Sequence, residues 1–144
     1  MKTKGKVVEW FSADRMHDMT KNWLSDLNFI KDEQVFLEEL ITDYTKKIID
    51  SKNLERAQTA TTALYRTKRG NQKLINDLID HEQQLRLMVD GKDEIEKETK
   101  YKEEHREFTS TVSAFYNDYK AVKFEIFNLV KAIMKADKNQ HLIK

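Results

Sequence analysis

Mostly apolar side chains recur along this chain at alternating intervals of four and three residues. Residues spaced in this way share one face of an α-helix, and the alternation is typical of long helices that pack against each other. The ladder occupies three segments, so we predict an all-α protein. Its positions are Trp23, Leu27, Ile30, Gln34, Leu37, Ile41, Tyr44 and Ile48, then Ala60, Leu64, Thr67, Asn71, Leu74, Leu78, His81, Leu85 and Met88, then Tyr101, His105, Phe108, Val112, Phe115, Tyr119, Val122, Ile126, Leu129 and Ile133.

Few helix breakers interrupt these segments. The 144 residues include no proline and three glycines, and these are the residue types that most destabilise a helix interior. Gly70 lies within the second ladder, where we expect a weak spot or a kink. The polar run from Asp50 to Asn53 and the pair Asp90 and Gly91 are the two turn signals.

Two short turns would fold three helices into antiparallel neighbours. We therefore predict a single domain, an up-down-up bundle of three long helices with coiled-coil-like packing and a left-handed twist. Its predicted parts are an N-terminal arm at 1–11, helices at about 13–49, 53–89 and 93–137, and a frayed tail at 138–144. A four-helix alternative would need a break at Gly70.

Composition excludes several kinds of chemistry. Without cysteine, the chain has no disulfide, no thiol nucleophile and no Cys-ligated zinc or iron–sulfur site. Neither G-x-x-x-x-G-K nor G-x-G-x-x-G occurs, so there is no Gly-rich phosphate loop. The formal net charge of +1 lacks the basic excess typical of nucleic-acid binding. No segment approaches the roughly 18 apolar residues of a membrane span. We predict a soluble, cytoplasmic protein without a membrane partner, and we favour a non-enzymatic role.

Three histidines are candidate metal ligands. With the turns placed as above, His17, His81 and His105 fall within about two helical turns of each other. Neutral imidazole is a common ligand of divalent metals, and neighbouring carboxylates can complete the shell. No Glu-x-x-His pair of the di-iron bundles occurs, and Asp14 with His17 is the nearest match. The favoured alternative is a polar core layer of His81 and His105 with Tyr101 or a water molecule, and a general base is a further alternative.

Two other groups are candidate contact sites. Arg66, Lys68 and Arg69 would form a patch for anions or nucleic acid, although charges on a helix usually face water, which is the interpretation we favour. Trp10 and Phe11 lie in the arm outside the ladders, where an aromatic pair either covers the core or binds a partner. Beyond a divalent metal as the alternative, we expect no cofactor.

Additional apolar residues widen the ladder faces. Phe29, Phe36 and Leu40 flank the first ladder, and Phe127 and Met134 flank the third. A slender three-helix rod leaves part of such faces exposed, which favours self-association. We therefore predict a helical bundle that acts through protein–protein association, with an unknown partner or as a homodimer. A metal-binding bundle is the alternative, and nucleic-acid binding ranks last.

Part of the chain resembles a known family. The run from Trp23 to Gln34, preceded by His17, is similar to a small all-helical family of uncharacterised cytosolic proteins from Bacteroidetes, especially flavobacteria. The stretch from Tyr119 to Lys135 is similar in the same way, and the likeness extends from about residue 7 onward. This resemblance implies an all-helical bacterial protein, and it implies no activity, cofactor or catalytic residue.

Overall fold

The described part of the chain consists of helices and short connections. A computed structural model describes residues 12–89 and 95–143, and these two ranges contain no strand, which confirms the predicted all-α class. The arm with Trp10 and Phe11, and the turn predicted at Asp90 and Gly91, lie outside the described residues. The helices are α1 Ala13–Asp43, α2 Thr45–Asp50, α3 Leu54–Val89 and α4 Ile95–Ile143.

Two helix boundaries differ from those that the ladder predicts. The first segment is divided, because α1 ends at Asp43 and α2 begins at Thr45. At the other end of the chain, α4 continues to Ile143, whereas the ladder predicts fraying from residue 138. Residues 134–143 contain neither glycine nor proline, so no residue there opposes helical continuation beyond the last ladder position.

The division at Tyr44 has a local cause. The Tyr44 N–H is shared between the carbonyl oxygens of Leu40 and Ile41, both at 3.2 Å, which tightens the chain locally toward 3₁₀ geometry. The hydroxyl groups of Thr42 and Thr45 donate to carbonyl oxygens four residues earlier, at 2.9 and 3.2 Å. Such bonds can bend helices, but Thr59 and Thr111 make the same bond within the unbroken α3 and α4. The shared Tyr44 N–H is therefore the feature that marks the division.

The connection between α2 and α3 is a Schellman turn built without glycine. Lys52 has a φ of 61°, in the left-handed region that favours glycine. Its N–H donates to the Ile49 carbonyl at 3.3 Å, and the Asn53 N–H donates to the Ile48 carbonyl at 3.1 Å. These two bonds satisfy carbonyl groups at the end of α2 and define the motif. The polar turn predicted here is therefore a regular helix terminator.

The helices form two compact units. The first unit comprises the described residues of Met1–Phe29 and Gln72–Ala114. The second unit comprises Ile30–Asn71 and the described residues of Phe115–Lys144. α1, α3 and α4 each contribute to both units, and α3 is one unbroken helix through Gly70.

Ladder residues build the core of each unit. In the first unit, Met16, Leu85 and Tyr101 are buried together, and Met88 packs against them. In the second unit, all four helices contribute to one cluster, and burial of each large apolar side chain stabilises it by about 1.5–3 kcal/mol. Its buried members are Leu37, Ile48, Ala57, Ala60, Leu64, Tyr119, Val122, Ile126, Leu129 and Ile133.

Polar contacts within the second unit set the direction of its helices. Glu33 accepts hydrogen bonds from the Tyr119 hydroxyl at 2.7 Å and from Lys123 at 3.0 Å. Further along, Lys47 donates to Asp137 at 3.2 Å. The partners are 86, 90 and 90 positions apart, so in this unit α1 and α2 run parallel to α4 with a nearly constant offset.

A buried polar layer crosses the second unit. Gln34, Thr67 and Asn71 occupy ladder positions, and all three are buried. The Gln34 amide donates to Thr67 Oγ1 at 3.3 Å and accepts from the Asn71 amide at 3.4 Å. The Thr67 hydroxyl also donates to the Leu64 carbonyl at 2.8 Å. Because buried amides are costly unless hydrogen-bonded, this layer favours one alignment of α1 against α3.

Candidate functional site

Two imidazoles are the most reactive groups in the core of the first unit. His81 on α3 and His105 on α4 occupy ladder positions and are 1% and 0% exposed. His81 Nε2 lies 3.1 Å from His105 Nδ1, which is a hydrogen-bond distance. The structure therefore brings together two of the three histidines that the sequence analysis proposed as metal ligands.

Aromatic rings enclose the imidazole pair. Trp23 stacks on His105 with ring centroids 4.9 Å apart, and Phe108 lies 4.8 Å from His81 by the same measure. Glu104 Oε2 lies 3.9 Å from His81 Nδ1. This distance is too long for a hydrogen bond but short enough for electrostatic attraction. The pair thus has apolar walls and one carboxylate at its edge.

Burial keeps both imidazoles uncharged. It lowers the pKa of His81 to about 4, and burial followed by repulsion from His81 lowers the pKa of His105 to about 4. Each neutral ring carries one N–H. The Glu104 carboxylate favours a proton on His81 Nδ1, so we infer that His81 Nε2 accepts the hydrogen bond from His105 Nδ1. Chemically, the pair can accept a proton or offer lone pairs to a metal.

The third predicted ligand has a different partner. His17 Nε2 lies 3.0 Å from Glu82 Oε1. Burial raises the pKa of Glu82, but hydrogen bonds from Arg86 and His17 outweigh burial and leave this pKa below its ordinary value. Within residues 12–89 and 95–143, no three His, Asp or Glu side chains form a group that could hold a metal ion.

Carboxylates neutralise two cations of the proposed anion patch. Arg66 donates to both oxygens of Asp118, at 2.5 and 3.1 Å, and Lys68 donates to Glu38. Arg69 is exposed. The patch is therefore mainly a set of ion pairs within the second unit, which matches the favoured interpretation of a solvated helix face.

Several of the apolar residues that widen the ladder faces lie at the surface of the second unit together with Phe124, as expected for faces that are partly exposed. Phe36 on α1 is 53% exposed, and Phe124, Phe127 and Met134 on α4 are 63%, 40% and 53% exposed. Phe36 lies three positions from Glu33, the residue that bonds α4. Because residues three apart share a helix face, Phe36 lies on the side of α1 that borders α4. The exposed side chains thus form an apolar strip along these two helices.

A shallow groove between α3 and α4 of the second unit has different chemistry. Its volume is about 600 Å³, and its lining includes Ala60, Ala63 and Ala121, with Arg56 and Asp118 among its charged residues. Small side chains allow another backbone to approach closely, but they supply no nucleophile or base.

The acidic partners of the buried groups were not identified from the sequence. Glu33, Glu82 and Glu104 each lie beside a ladder position and contact a ladder or candidate residue. The sequence offered one indication of such a partner. Tyr119 occupies a ladder position, and a buried hydroxyl group requires a hydrogen-bond acceptor. Burial and hydrogen bonding to Glu33 raise the pKa of Tyr119 above its ordinary range.

Comparisons with known proteins leave this geometry as the basis for assigning function. No protein-family model, curated protein or solved structure matches the chain. The resemblance to the Bacteroidetes family stays a prediction. Among the described helices, none has a stretch both long and apolar enough to cross a membrane.

Proposed function

We propose that this protein is a non-enzymatic helical bundle that acts through protein–protein association. The apolar strip of the second unit carries the proposal, because Phe36, Phe124, Phe127 and Met134 are all at least 40% exposed. Large apolar side chains grouped on one face mark an interaction surface, whereas single exposed residues do not.

We infer that the helices form the up-down-up bundle, with α1 and α2 together as its first rod. In the first unit, His81 pairs with His105, and Leu85 shares a cluster with Tyr101. Residue numbers thus rise along α3 as they fall along α4, which supports antiparallel neighbours. The 4–3 ladder supports coiled-coil-like packing.

Association is tested with a surface variant and a matched control. The triple variant Phe36→Ser, Phe124→Ser and Phe127→Ser removes the strip, whereas Tyr65→Ser removes an apolar residue on α3 that is 55% exposed. Light scattering and chemical cross-linking should detect a complex of the wild-type chain, with itself or with another protein. The triple variant should lose this complex and Tyr65→Ser should retain it. A strict monomer without any partner would refute the proposal.

Metal binding by the first unit is the second candidate. The observation that favours it is the uncharged pair His81 and His105, with nitrogens 3.1 Å apart. His17 and Glu104 would have to move to complete a coordination shell. Elemental analysis of protein purified without added metal should find one equivalent, and His81→Ala should lose it while His17→Ala retains part. Sub-stoichiometric metal in the wild-type protein would end this alternative.

Other assignments rest on the sequence alone. Nucleic-acid binding ranks last because Arg66 and Lys68 are already paired, and it predicts salt-sensitive retention on DNA or RNA. We propose a cytoplasmic location, which stays a prediction from the sequence. Bacterial origin follows from the proposed resemblance.

A further inference from the structure

The apolar strip of the second unit is flanked by acidic residues on α1 and is interspersed with lysines on α4. Rotation by about 100° per residue places Asp32, Glu39 and Asp43 with Phe36 on the outer side of α1. The same geometry places lysines with Phe124, Phe127 and Met134 on the outer side of α4, and these lysines are Lys120, Lys131 and Lys135. We call this surface the α1–α4 face.

The charges of this face have no partners within the described chain. Asp32, Glu39 and Asp43 are exposed and form no ion pair among residues 12–89 and 95–143. Lys120 and Lys131 are likewise exposed and unpaired within those ranges. By contrast, Glu33 and Lys123, which lie closer to the α1–α4 contact, pair with each other at 3.0 Å. The face therefore has one acidic edge and one basic edge.

The two edges match level by level. In this unit, residues at the same height on α1 or α2 and on α4 are 86 to 90 positions apart. Asp32 and Lys120 are 88 positions apart, as are Asp43 and Lys131. Phe36 and Phe124 have the same offset. Asp32 and Asp43 therefore each have a lysine at their own height on α4, whereas Glu39 lies level with Phe127.

We propose that the α1–α4 face binds a second copy of this chain, in a twofold pair whose axis runs parallel to the helices. This inference rests on the proposed association function and names the partner. A rotation of 180° about such an axis places α1 of one copy opposite α4 of the other at unchanged height. Asp32 then faces Lys120 of the second copy, Asp43 faces Lys131, and the phenylalanines pack between them.

Charge also selects this arrangement over the other symmetric one. A twofold axis perpendicular to the helices would place α1 opposite α1 and α4 opposite α4. Acids would then face acids and lysines would face lysines, and like charges across an interface are repulsive. A partner with only one sign of charge would match one edge of the face, whereas a second copy matches both.

The size of the face indicates a weak dimer. From Asp32 to Asp43 the helix rises about 17 Å, and two adjacent helices are about 20 Å wide. Two copies would then bury roughly 700 Å² in total, which is below the standard size of stable interfaces and within the range of weak, transient ones. We therefore expect a dissociation constant in the micromolar range, which sets the concentrations for the test.

Charge reversal with rescue tests the proposal. Asp43→Lys and Lys131→Glu each place like charges opposite one another twice per dimer, and the double variant restores opposite charges. Sedimentation equilibrium should show a dissociation constant raised by roughly tenfold in each single variant and returned to near the wild-type value in the double variant. Arg69→Glu, an equal charge change on α3, should leave it unchanged. All these positions are exposed, and circular dichroism verifies folding.

The outcomes separate this inference from the broader one. A dimer whose dissociation constant changes in the variants as described supports both the twofold arrangement and the proposed association function. A dimer that is insensitive to the single reversals, or a double variant weaker than either single, overturns the symmetric arrangement and leaves association standing. A monomer that binds another protein through Phe36 also overturns the second copy as partner. A monomer without any partner overturns both.

Discussion

At the scale of single residues, His81 and His105 make the free energy of unfolding depend on pH. Burial lowers both pKa values to about 4, whereas an imidazole in an unfolded chain titrates near about 6.5. Between these values the unfolded chain binds more protons than the folded one, so stability rises with pH. The stabilisation is complete above about pH 6.5 and is lost as the pH falls toward 4.

We predict that stability falls between pH 7.5 and about pH 4.5 by up to about 3 kcal/mol for each imidazole, since each of the two pH units between about 6.5 and 4.5 is worth about 1.4 kcal/mol. Urea unfolding at a series of pH values measures it. His81→Gln should flatten the dependence, because its amide does not titrate. His17→Gln, which leaves the buried pair intact, should keep it. An equally steep loss in His81→Gln would contradict the assignment.

Burial of these residues could be predicted from the sequence, but their partners could not. The ladder placed Gln34, His81 and His105 in the core, and all three are buried. Helical periodicity gives the direction of each side chain around its own helix axis. It places residues of neighbouring helices at the same level only to within about one turn. It does not decide whether His81 meets Tyr101 or His105, which lie four residues apart on the same face. That choice depends on packing between helices, and so does the bond from His17 to Glu82.

At the scale of elements, the turn after α2 contains avoidable strain. Lys52 has a φ of 61°, and a residue with a Cβ atom is disfavoured there by about 1 kcal/mol. We predict that Lys52→Gly raises the free energy of unfolding by about 1 kcal/mol, measured by urea denaturation. Lys46→Gly, in the first turn of α2, should instead lower it, by up to about 1 kcal/mol. If both variants changed the free energy of unfolding in the same direction and by the same amount, Lys52 would not be strained.

Gly70 offers a second stabilising change. It lies within α3, and a Cβ atom added there would meet Phe115 Cε1 at 3.8 Å, an ordinary contact. Alanine is a better helix former than glycine by about 1 kcal/mol, so we predict that Gly70→Ala raises the thermal midpoint by several degrees. Calorimetry measures this shift. A lower midpoint would mean that α3 needs the smaller residue at this position.

The element boundaries show where sequence patterns stop being informative. Polar residues near 51 predicted the turn, and its residues form a regular terminator. The division at Tyr44 was missed because Tyr44 continues the ladder, and periodicity describes side-chain directions rather than backbone hydrogen bonds.

At the scale of the whole molecule, the parallel pair predicts a set of equal distances. The chain has no cysteine, so single cysteines at Lys31, Val35 and Thr42 accept spin labels one at a time. All three are exposed and lie away from the α1–α4 face. In a parallel pair each residue and its copy have the same height. We therefore predict that the three distances between labels agree within a few ångströms, as measured by pulsed electron paramagnetic resonance.

An antiparallel pair would give a different series. Positions 31 and 42 are separated by about 16 Å along the helix, so distances between copies would change along α1 and could not agree at all three sites.

The surface residues behind this prediction were only partly foreseen. The sequence identified Phe36 and Met134 as extra apolar residues on faces that stay partly exposed, but it did not show which of these residues would be exposed, because one ladder does not reveal how many neighbours a helix has.

The amide layer of Gln34, Thr67 and Asn71 has a consequence for redesign of this chain. A seven-residue repeat is indifferent to sliding, since a ladder moved by one repeat meets its neighbour with unchanged spacing. After such a slide, Gln34 would lie opposite Ala60 and Leu64, with its amide unsatisfied and the alignment penalised. Replacing these three residues by leucine would bury more apolar surface. The same change would remove the polar contacts that favour one alignment of α1 against α3 over its shifted alternatives.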